Sequence, residues 1–316
     1  MPGKFVISLD VEKKWGLLDI KDKNYENNIR NVPYVIDSLL QIFERYNIKA
    51  TWAVVASLII GNEEEFLSQS EKRSAFNVID ESLNATNYFE KNNYELNLFS
   101  AFEEIYKILG YKGQEIISHS YCHAYFSEEG MSTDALSKDY IFSQDLFKSK
   151  FNRNLSPGIV FPRNQVPYHL DFSGYQFYRS NCKQYLDKPI LKSDFSLFFR
   201  ILRVLDSYVK ISGYRDSKPY VDTQGKVAIP ASRFLRPFTS NVVLEKMKLR
   251  RIKREMTVAA IKGEYYHLWW HPHNFGNDVK QNIRLLDEIL QHYKYLNNLY
   301  GMRSVTMGEI YENFKQ

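Results

Sequence analysis

The stretch Ile116–Phe126, IISHSYCHAYF, carries the two signals around which the rest of the chain is interpreted. Ile116 and Ile117 are typical of the end of a buried strand, and a small polar turn follows. His119 and His123 stand four residues apart, a spacing that on a helical turn brings two imidazoles close enough to bind one cation. Such a pair can also be two half-buried polar side chains. A zinc site needs at least one more protein ligand, so the rest of the chain has to supply it.

A pair of acidic residues follows the first apolar run of the chain. The run FVISL, residues 5–9, predicts a buried strand, and Asp10 and Glu12 stand at its end. Because alternate residues of a strand point the same way, both carboxylates are expected on one side. One of them could hold a metal while its neighbour handles a proton. The alternative is that Glu12 begins the charged loop that continues with Lys13 and Lys14.

Apolar strands alternate with amphipathic helices along most of the chain. Helices are predicted over 31–46, with Asn31 as the cap, and over 133–151, 245–260 and 279–300. Strands are predicted over 50–56, 158–161, 265–270 and 303–307. A strand, a helix and a strand in that order indicate a right-handed parallel crossover. The sequence therefore predicts an α/β fold with a parallel sheet.

Two further polar residues follow predicted strands. Arg163 comes after the strand at 158–161, where it is either a surface charge or a clamp for a carboxylate. His271 follows the strand at 265–270, at the strand end where a barrel keeps its chemistry. His267 lies on the same strand about 13 Å from His271, so it is predicted to be structural. Cys122 is predicted to pack inward as a small apolar side chain.

Residues 184–240 interrupt this alternation, and we interpret them as an insertion. Within it, an apolar helical stripe that includes Ile201, Leu205 and Val209 is predicted to pack on the barrel. A helix facing a membrane near a lipid-linked substrate is the alternative. The next helix, 245–260, has a basic face that is either solvated or meets phosphate.

Composition limits the class of protein. The chain has 316 residues, 44% of them hydrophobic, and a formal charge of +5, so it can bury a sizeable core. Two cysteines give no disulfide framework and suit a reducing compartment. No signal peptide and no long apolar run is evident, so we expect a cytoplasmic protein, either free or peripheral to the inner face of the membrane, with no nucleic-acid partner.

Taken together, these motifs resemble the polysaccharide deacetylases of the NodB-homology, carbohydrate esterase family 4 type. The resemblance is carried by SLDVE (8–12), SHSYCH (118–123), the Arg163 strand exit and LWWH (268–271), supported by ATWAVVA (50–56) and SVTMGEI (304–310). It implies a distorted (β/α)7-type barrel with an inserted helical segment, in one catalytic domain over residues 1–316. The resemblance does not extend over the insertion, about 184–240.

The resemblance also implies roles for individual residues. Asp10 matches the general base, Arg163 the arginine that orients this base, and His271 the general acid. Glu12, His119 and His123 match the metal ligands, and Trp270, His273 and Asn274 are predicted to contact the substrate. The chain departs from the family pattern in having Gln165 where Pro is usual and Arg179 where Asp is usual, so tuning of the acid is expected to come from His273 or Asp278.

The implied activity is hydrolytic removal of an N-acetyl group from an acetamido sugar. The sugar would belong to a surface polysaccharide, such as lipopolysaccharide or capsule, or to its nucleotide- or lipid-linked precursor. Zinc is the expected ion, and iron, cobalt or manganese also suit two imidazoles and a carboxylate. Two alternatives remain: a hydrolase of a small cyclic amide, as in allantoinase-like relatives, and a non-catalytic saccharide-binding relative.

Overall fold

The structure is a computed structural model, and it describes residues 1–19, 25–172, 174–182, 197–209 and 217–315. The strands of this part of the chain form a single sheet. They are β1 (Lys4–Val11), β2 (Ala50–Val54), β3 (Gln114–Ser118), β4 (Gly158–Ile159), β5 (Phe177–Asn181), β6 (Tyr220–Val221), β7 (Val227–Ala231), β8 (Arg233–Phe234), β9 (Tyr265–Trp270) and β10 (Arg303–Val305).

Most neighbouring strands run parallel. The strand order is β6-β7-β5-β4-β3-β2-β1-β9-β8, and β10 pairs with the first residues of β1. Among the described strands, only the short β6 pairs antiparallel, with β7. In the register, Ser8 of β1 lies opposite Thr51 of β2 on one side and Trp269 of β9 on the other. The strand ends that carry the predicted site residues therefore meet at one edge of the sheet.

The two sides of the sheet are joined by the segment 227–234. Its first part, β7, pairs with β5, and its second part, β8, pairs with β9. Ser232 N donates to the His267 carbonyl (2.8 Å), so the chain passes from one side of the sheet to the other at this residue. The predicted fold class, a distorted (β/α)7-type barrel, is confirmed.

The alternation of side chains along the strands separates an inner from an outer core. Even-numbered residues of β1 and odd-numbered residues of β9 face the interior, where Val6 packs with Ile117 and Phe177. Odd-numbered residues of β1, such as Phe5, face the surrounding helices. Since side chains alternate with a period of two, polar residues of the same parity at the strand ends also point into the barrel.

Eleven α-helices lie in the described part of the chain. They are α1 (Glu26–Arg30), α2 (Val32–Tyr46), α3 (Glu63–Ser68), α4 (Ser70–Ser74), α5 (Ala85–Lys91), α6 (Phe102–Gly110), α7 (Ala135–Phe151), α8 (Leu197–Asp206), α9 (Val242–Lys262), α10 (Val279–Tyr300) and α11 (Met307–Lys315). The predicted helices correspond to α2, α7, α9 and α10. The Asn31 side chain does not cap α2, and instead donates to the Gly276 carbonyl (2.8 Å).

The segment 184–240 is only partly an excursion from the barrel. Residues 183–196 and 210–216 lie outside the described residues, whereas β6, β7 and β8 all belong to the sheet. The predicted packing of the apolar stripe of α8 is not seen for Ile201, Leu205 and Val209, which are about half exposed. Among the residues of α8 whose burial is described, Asp206 is the buried one, and it pairs with Arg251 of α9 (3.2 Å).

The basic helix α9 has two kinds of cation. Lys248 and Arg251 are buried, and Lys248 donates to the carbonyls of Arg236 (3.0 Å) and Pro237 (2.9 Å). Lys246, Arg250 and Arg254 are exposed at a spacing of four residues, which places them in one row. In the described part of the chain, every helix is too short or too polar to cross a lipid bilayer.

Candidate active site

The two carboxylates lie at the end of β1 that faces the barrel interior. Asp10 and Glu12 are 2% and 5% exposed. Like Ser8, they are even-numbered residues whose side chains point into the barrel. Buried charges are costly unless they are paired and hydrogen-bonded. The partners of each carboxylate therefore decide what this site can do.

Glu12 is surrounded by the two predicted ligand histidines. His119 Nε2 lies 3.1 Å and His123 Nε2 3.0 Å from the same oxygen, Glu12 Oε2. His119 Nδ1 donates to the Val160 carbonyl (2.7 Å), and this bond turns the Nε2 lone pair of a neutral imidazole towards Glu12. The structure thus brings together all three residues that the sequence predicts as metal ligands.

The histidines come together in a loop and not on a helical turn. Residues 119–126 form no helix, and Ser120 (φ 72°) and His123 (φ 59°) have left-handed backbones. Such backbones persist only where their surroundings hold them, and they are frequent at functional sites. Asp139 of α7 supplies one such restraint, since its Oδ1 accepts from Tyr121 N (2.6 Å).

These three residues fit a divalent cation. Their ligand atoms lie within 4.8 Å of one another and all three are buried. Donor atoms about 2.1 Å from a tetrahedral ion are about 3.4 Å apart, close to the separations seen here. At 3.1 and 3.0 Å from Glu12 Oε2, an Nε2 lone pair facing the carboxylate is repelled unless a proton or a metal ion lies between them.

Asp10 is held by Arg179 of β5 and not by Arg163, so the predicted role of Arg163 is wrong. Arg179 Nη1 and Nη2 donate to Asp10 Oδ1 (2.7 Å) and Oδ2 (2.6 Å), and Arg179 is fully buried. Arg163 has a left-handed backbone and pairs with Asp19 (2.7 Å), with its guanidinium over the Tyr125 ring. The residue that departs from the family pattern is therefore the one that binds the predicted base.

Further contacts fix the Arg179 guanidinium in place. Its Nη1 also donates to Ser8 Oγ (3.0 Å), and Nε and Nη2 donate to Asn164 Oδ1 (3.1 and 2.8 Å). Its plane lies over the Trp269 ring, 4.1 Å from the centroid. Ser8 Oγ in turn contacts His267 Nε2 (2.8 Å). The predicted structural role of His267 is consistent with this contact, because the residue is fully buried below the carboxylates.

The electrostatic balance keeps both carboxylates ionised. Burial opposes ionisation of Asp10, but Arg179 and the imidazoles of His119 and His271 bring its pKa below the usual value. Burial likewise opposes ionisation of Glu12, and the neighbouring His271 together with hydrogen bonds from His119 and His123 brings its pKa well below the usual value. An ionised Asp10 can accept a proton, and an ionised Glu12 can ligate a metal.

His271 lies beside both carboxylates at the open side of the site. Its Nε2 is 3.6 Å from Asp10 Oδ2 and 3.6 Å from Glu12 Oε1, and its side chain is 22% exposed. Its Nδ1 contacts Asn274 Oδ1 (3.1 Å), while Asn274 Nδ2 donates to Tyr25 Oη (2.8 Å). Asn274 therefore lies where it can orient the His271 ring.

Of the two remaining predicted substrate contacts, Trp270 faces away from the site and His273 lies beside Glu12. Trp270 is fully buried among the helices, with its ring stacked on Phe275, so its prediction as a substrate contact is wrong. Trp269 is the tryptophan of this strand that faces the site, next to His271.

His273 is 3% exposed, with Nε2 3.9 Å from Glu12 Oε1. Asp278, a predicted tuning residue, caps α10 by accepting from Gln281 N (3.3 Å).

We expect Arg179→Met to destabilise the fold far more than Arg163→Met. Removing Arg179 leaves Asp10 as a buried, uncompensated charge, which costs about 3–5 kcal/mol, whereas the partly exposed Arg163 pair is worth about 1 kcal/mol. Urea unfolding measures both values. The double variant Asp10→Asn/Arg179→Met should recover part of the loss, and equal losses for the two arginine variants would contradict the assignment.

A second prediction concerns the glycine under Glu12. A Cβ atom on Gly16 would lie 2.3 Å from Glu12 Cδ, so Gly16→Ala must displace the carboxylate. We expect zinc affinity to fall at least ~10-fold, the scale on which misplaced ligands weaken a site, as measured by calorimetric titration. Gly61→Ala is the matched control, since its Cβ would meet nothing within 4 Å. Equal zinc affinity in both variants would show that Glu12 is not a ligand.

No protein-family profile matches this sequence, and no curated protein matches it. Solved structures do match. A Mycobacterium smegmatis protein described as a polysaccharide deacetylase is 14% identical, with a TM-score of 0.59 over 99% of this chain and 90% of that one. A Pseudomonas aeruginosa PAO1 protein with the same description is 12% identical, with a TM-score of 0.58 over 98% and 90%.

An allantoinase is also similar, at 10% identity and a TM-score of 0.54 over 98% of this chain and 89% of that one. At such low identities a structural match establishes the shared fold, while function has to be argued from the site. The resemblance found in the sequence motifs is therefore confirmed at the level of the fold: this chain has the fold of the polysaccharide deacetylases.

Proposed function

We propose that this protein is a metal-dependent hydrolase that removes the N-acetyl group from an acetamido sugar. The observation that carries the proposal is the convergence of three units at one end of the barrel. Glu12, His119 and His123 form a cation site, the Asp10–Arg179 pair lies beside it, and His271 completes the group. The similarity in fold to proteins described as polysaccharide deacetylases supports the same chemistry.

Asp10 is the proposed general base. Each of its oxygens accepts one hydrogen bond from Arg179, and a carboxylate oxygen has a further acceptor site. This free lone pair of Asp10 can take a proton from a water molecule as the water oxygen bonds to the acetyl carbon. Arg179 keeps Asp10 ionised and fixed in direction, because its guanidinium is itself held by Ser8 and Asn164.

His271 is the proposed general acid. Hydrolysis breaks the bond between the acetyl carbon and the sugar nitrogen, and that nitrogen must gain a proton because an amide anion is too basic to leave. His271 Nε2 faces the site, while Asn274 holds the opposite side of the ring. The products are acetate and a free amino sugar.

The cation proposed for this site is zinc, held by Glu12, His119 and His123. A bound divalent ion of this kind lowers the pKa of water and polarises a carbonyl. Iron, cobalt or manganese would also accept this donor set. The tight arrangement of two Nε2 atoms around one carboxylate oxygen supports the choice of a small ion.

We further propose that the substrate is a phosphate-bearing precursor of a surface polysaccharide, linked to a nucleotide or a lipid. The exposed basic row of α9, formed by Lys246, Arg250 and Arg254, supports this choice, because a row of cationic side chains can bind phosphate groups. The working compartment proposed with this substrate is the cytoplasm.

Acetate release from nucleotide-linked and lipid-linked acetamido sugars tests the proposal. A zinc-loaded protein that releases acetate from none of these sugars but opens a small cyclic amide would support the allantoinase-like alternative. Saccharide binding with neither reaction would support a non-catalytic relative. Acetate release that depends on the bound ion is the result we expect.

We expect Asp10→Asn to retain the metal but to release acetate at least ~100-fold more slowly, the scale of general-base removal. Acetate release measures the rate, and elemental analysis measures the metal. Asp134→Asn is a matched control, because this residue is exposed and pairs only with Lys138 among the ion pairs of the described residues. A turnover for Asp10→Asn near that of the control would place the base elsewhere.

His119→Ala should lose the ion itself, and with it the acetate release. His169→Ala, which removes an exposed histidine that belongs to neither candidate cation group, is the matched control and should keep one ion at low free zinc. Unchanged metal content in His119→Ala would refute its role as a ligand.

A further inference from the structure

The two oxygens of Glu12 face two different pairs of histidines. Oε2 lies 3.1 and 3.0 Å from the Nε2 atoms of His119 and His123. Oε1 lies 3.6 and 3.9 Å from the Nε2 atoms of His271 and His273. In the proposed deacetylation, the first pair binds the metal and His271 is the acid. His273 has no role in that reaction.

The second pair is arranged as a unit. The His271 and His273 rings stack with centroids 5.0 Å apart and planes 17° apart, so both Nε2 atoms approach the same carboxylate oxygen. His273 is 3% exposed, and a buried imidazole beside a carboxylate is costly unless it has a partner. Glu12, His271 and His273 have ligand atoms within 4.8 Å of one another.

Outer contacts orient His271 as a metal ligand requires. Its Nδ1–H donates to Asn274 Oδ1 (3.1 Å), and the Asn274 amide is fixed by its bond to Tyr25 Oη. This leaves the Nε2 lone pair directed at Glu12. Ligand histidines commonly donate their other ring nitrogen in this way, and His119 makes the same kind of bond to Val160.

We propose that Glu12 Oε1, His271 Nε2 and His273 Nε2 form a second site for a divalent cation, so that Glu12 bridges two ions. Imidazole nitrogens with one carboxylate oxygen favour zinc or a similar borderline ion over magnesium or calcium. Asp10 Oδ2, 3.6 Å from His271 Nε2, adds negative charge next to this site.

The second ion is inhibitory. This inhibition rests on the proposed function, in which His271 is the general acid. A His271 Nε2 that ligates a cation has no lone pair free to carry a proton, so it cannot protonate the leaving nitrogen. The first site supports hydrolysis, and occupation of the second site stops it.

Zinc stoichiometry tests the second site independently of activity. The full-length protein, stripped with a chelator, is dialysed against buffers of fixed free zinc, and bound zinc is measured by elemental analysis. We expect two ions per chain in the unaltered protein and in the control His169→Ala, and one ion per chain in His271→Ala and in His273→Asn. His271 is at the open side of the site, so its variant should fold even if the buried His273 variant does not, and circular dichroism checks both.

One zinc ion per chain in the unaltered protein at saturation would overturn the proposal, and so would two ions in a folded His271→Ala. In parallel, acetate release should rise as the first ion binds and fall as the second binds. A protein that binds two ions as predicted but releases no acetate would keep the second site and refute the proposed function. Activity that stays at its maximum with both ions bound would refute the inhibitory role.

Discussion

The ion pair between Asp10 and Arg179 is the interaction on which the arrangement of the site depends. Both side chains are buried in the barrel interior, and a buried carboxylate remains ionised only if a cation compensates it. Arg179 reaches across the interior from β5 and binds both oxygens of Asp10, while Ser8, Asn164 and the Trp269 ring fix its plane. Arg179 thus binds Asp10, whereas the imidazoles of His119 and His123 contact Glu12, so the two carboxylates have different surroundings.

Much of the fold could be predicted from the sequence, since strand periodicity and apolar helix stripes are local signals. The strand 265–270 and the helix 279–300 agree with β9 and α10. The proximity of Asp10, Glu12, His119, His123 and His271 was also predictable, because these residues follow strands whose ends meet at one edge of the sheet. A local pattern could not indicate that the two histidines approach each other through left-handed residues in a loop.

The errors arose where a residue's role depends on contacts between distant strands. Arg163 matches the family motif, but its left-handed backbone directs it to Asp19, and Arg179 takes its place from a strand that is not adjacent to β1. The alternation of β9 could have corrected the choice of tryptophan, because Trp269 shares the parity of His267 and His271 and Trp270 does not. The strands within segment 184–240 were not predicted, because short strands such as β8 carry too little apolar periodicity to be recognised.

Anomalous diffraction from crystals of the zinc-loaded protein tests the central claim most directly. We expect a zinc peak about 2.0–2.2 Å from Glu12 Oε2 and from the Nε2 atoms of His119 and His123, with Arg179 bound to both oxygens of Asp10. A zinc peak remote from these three residues, or an Asp10 bound to Arg163 in place of Arg179, would contradict it.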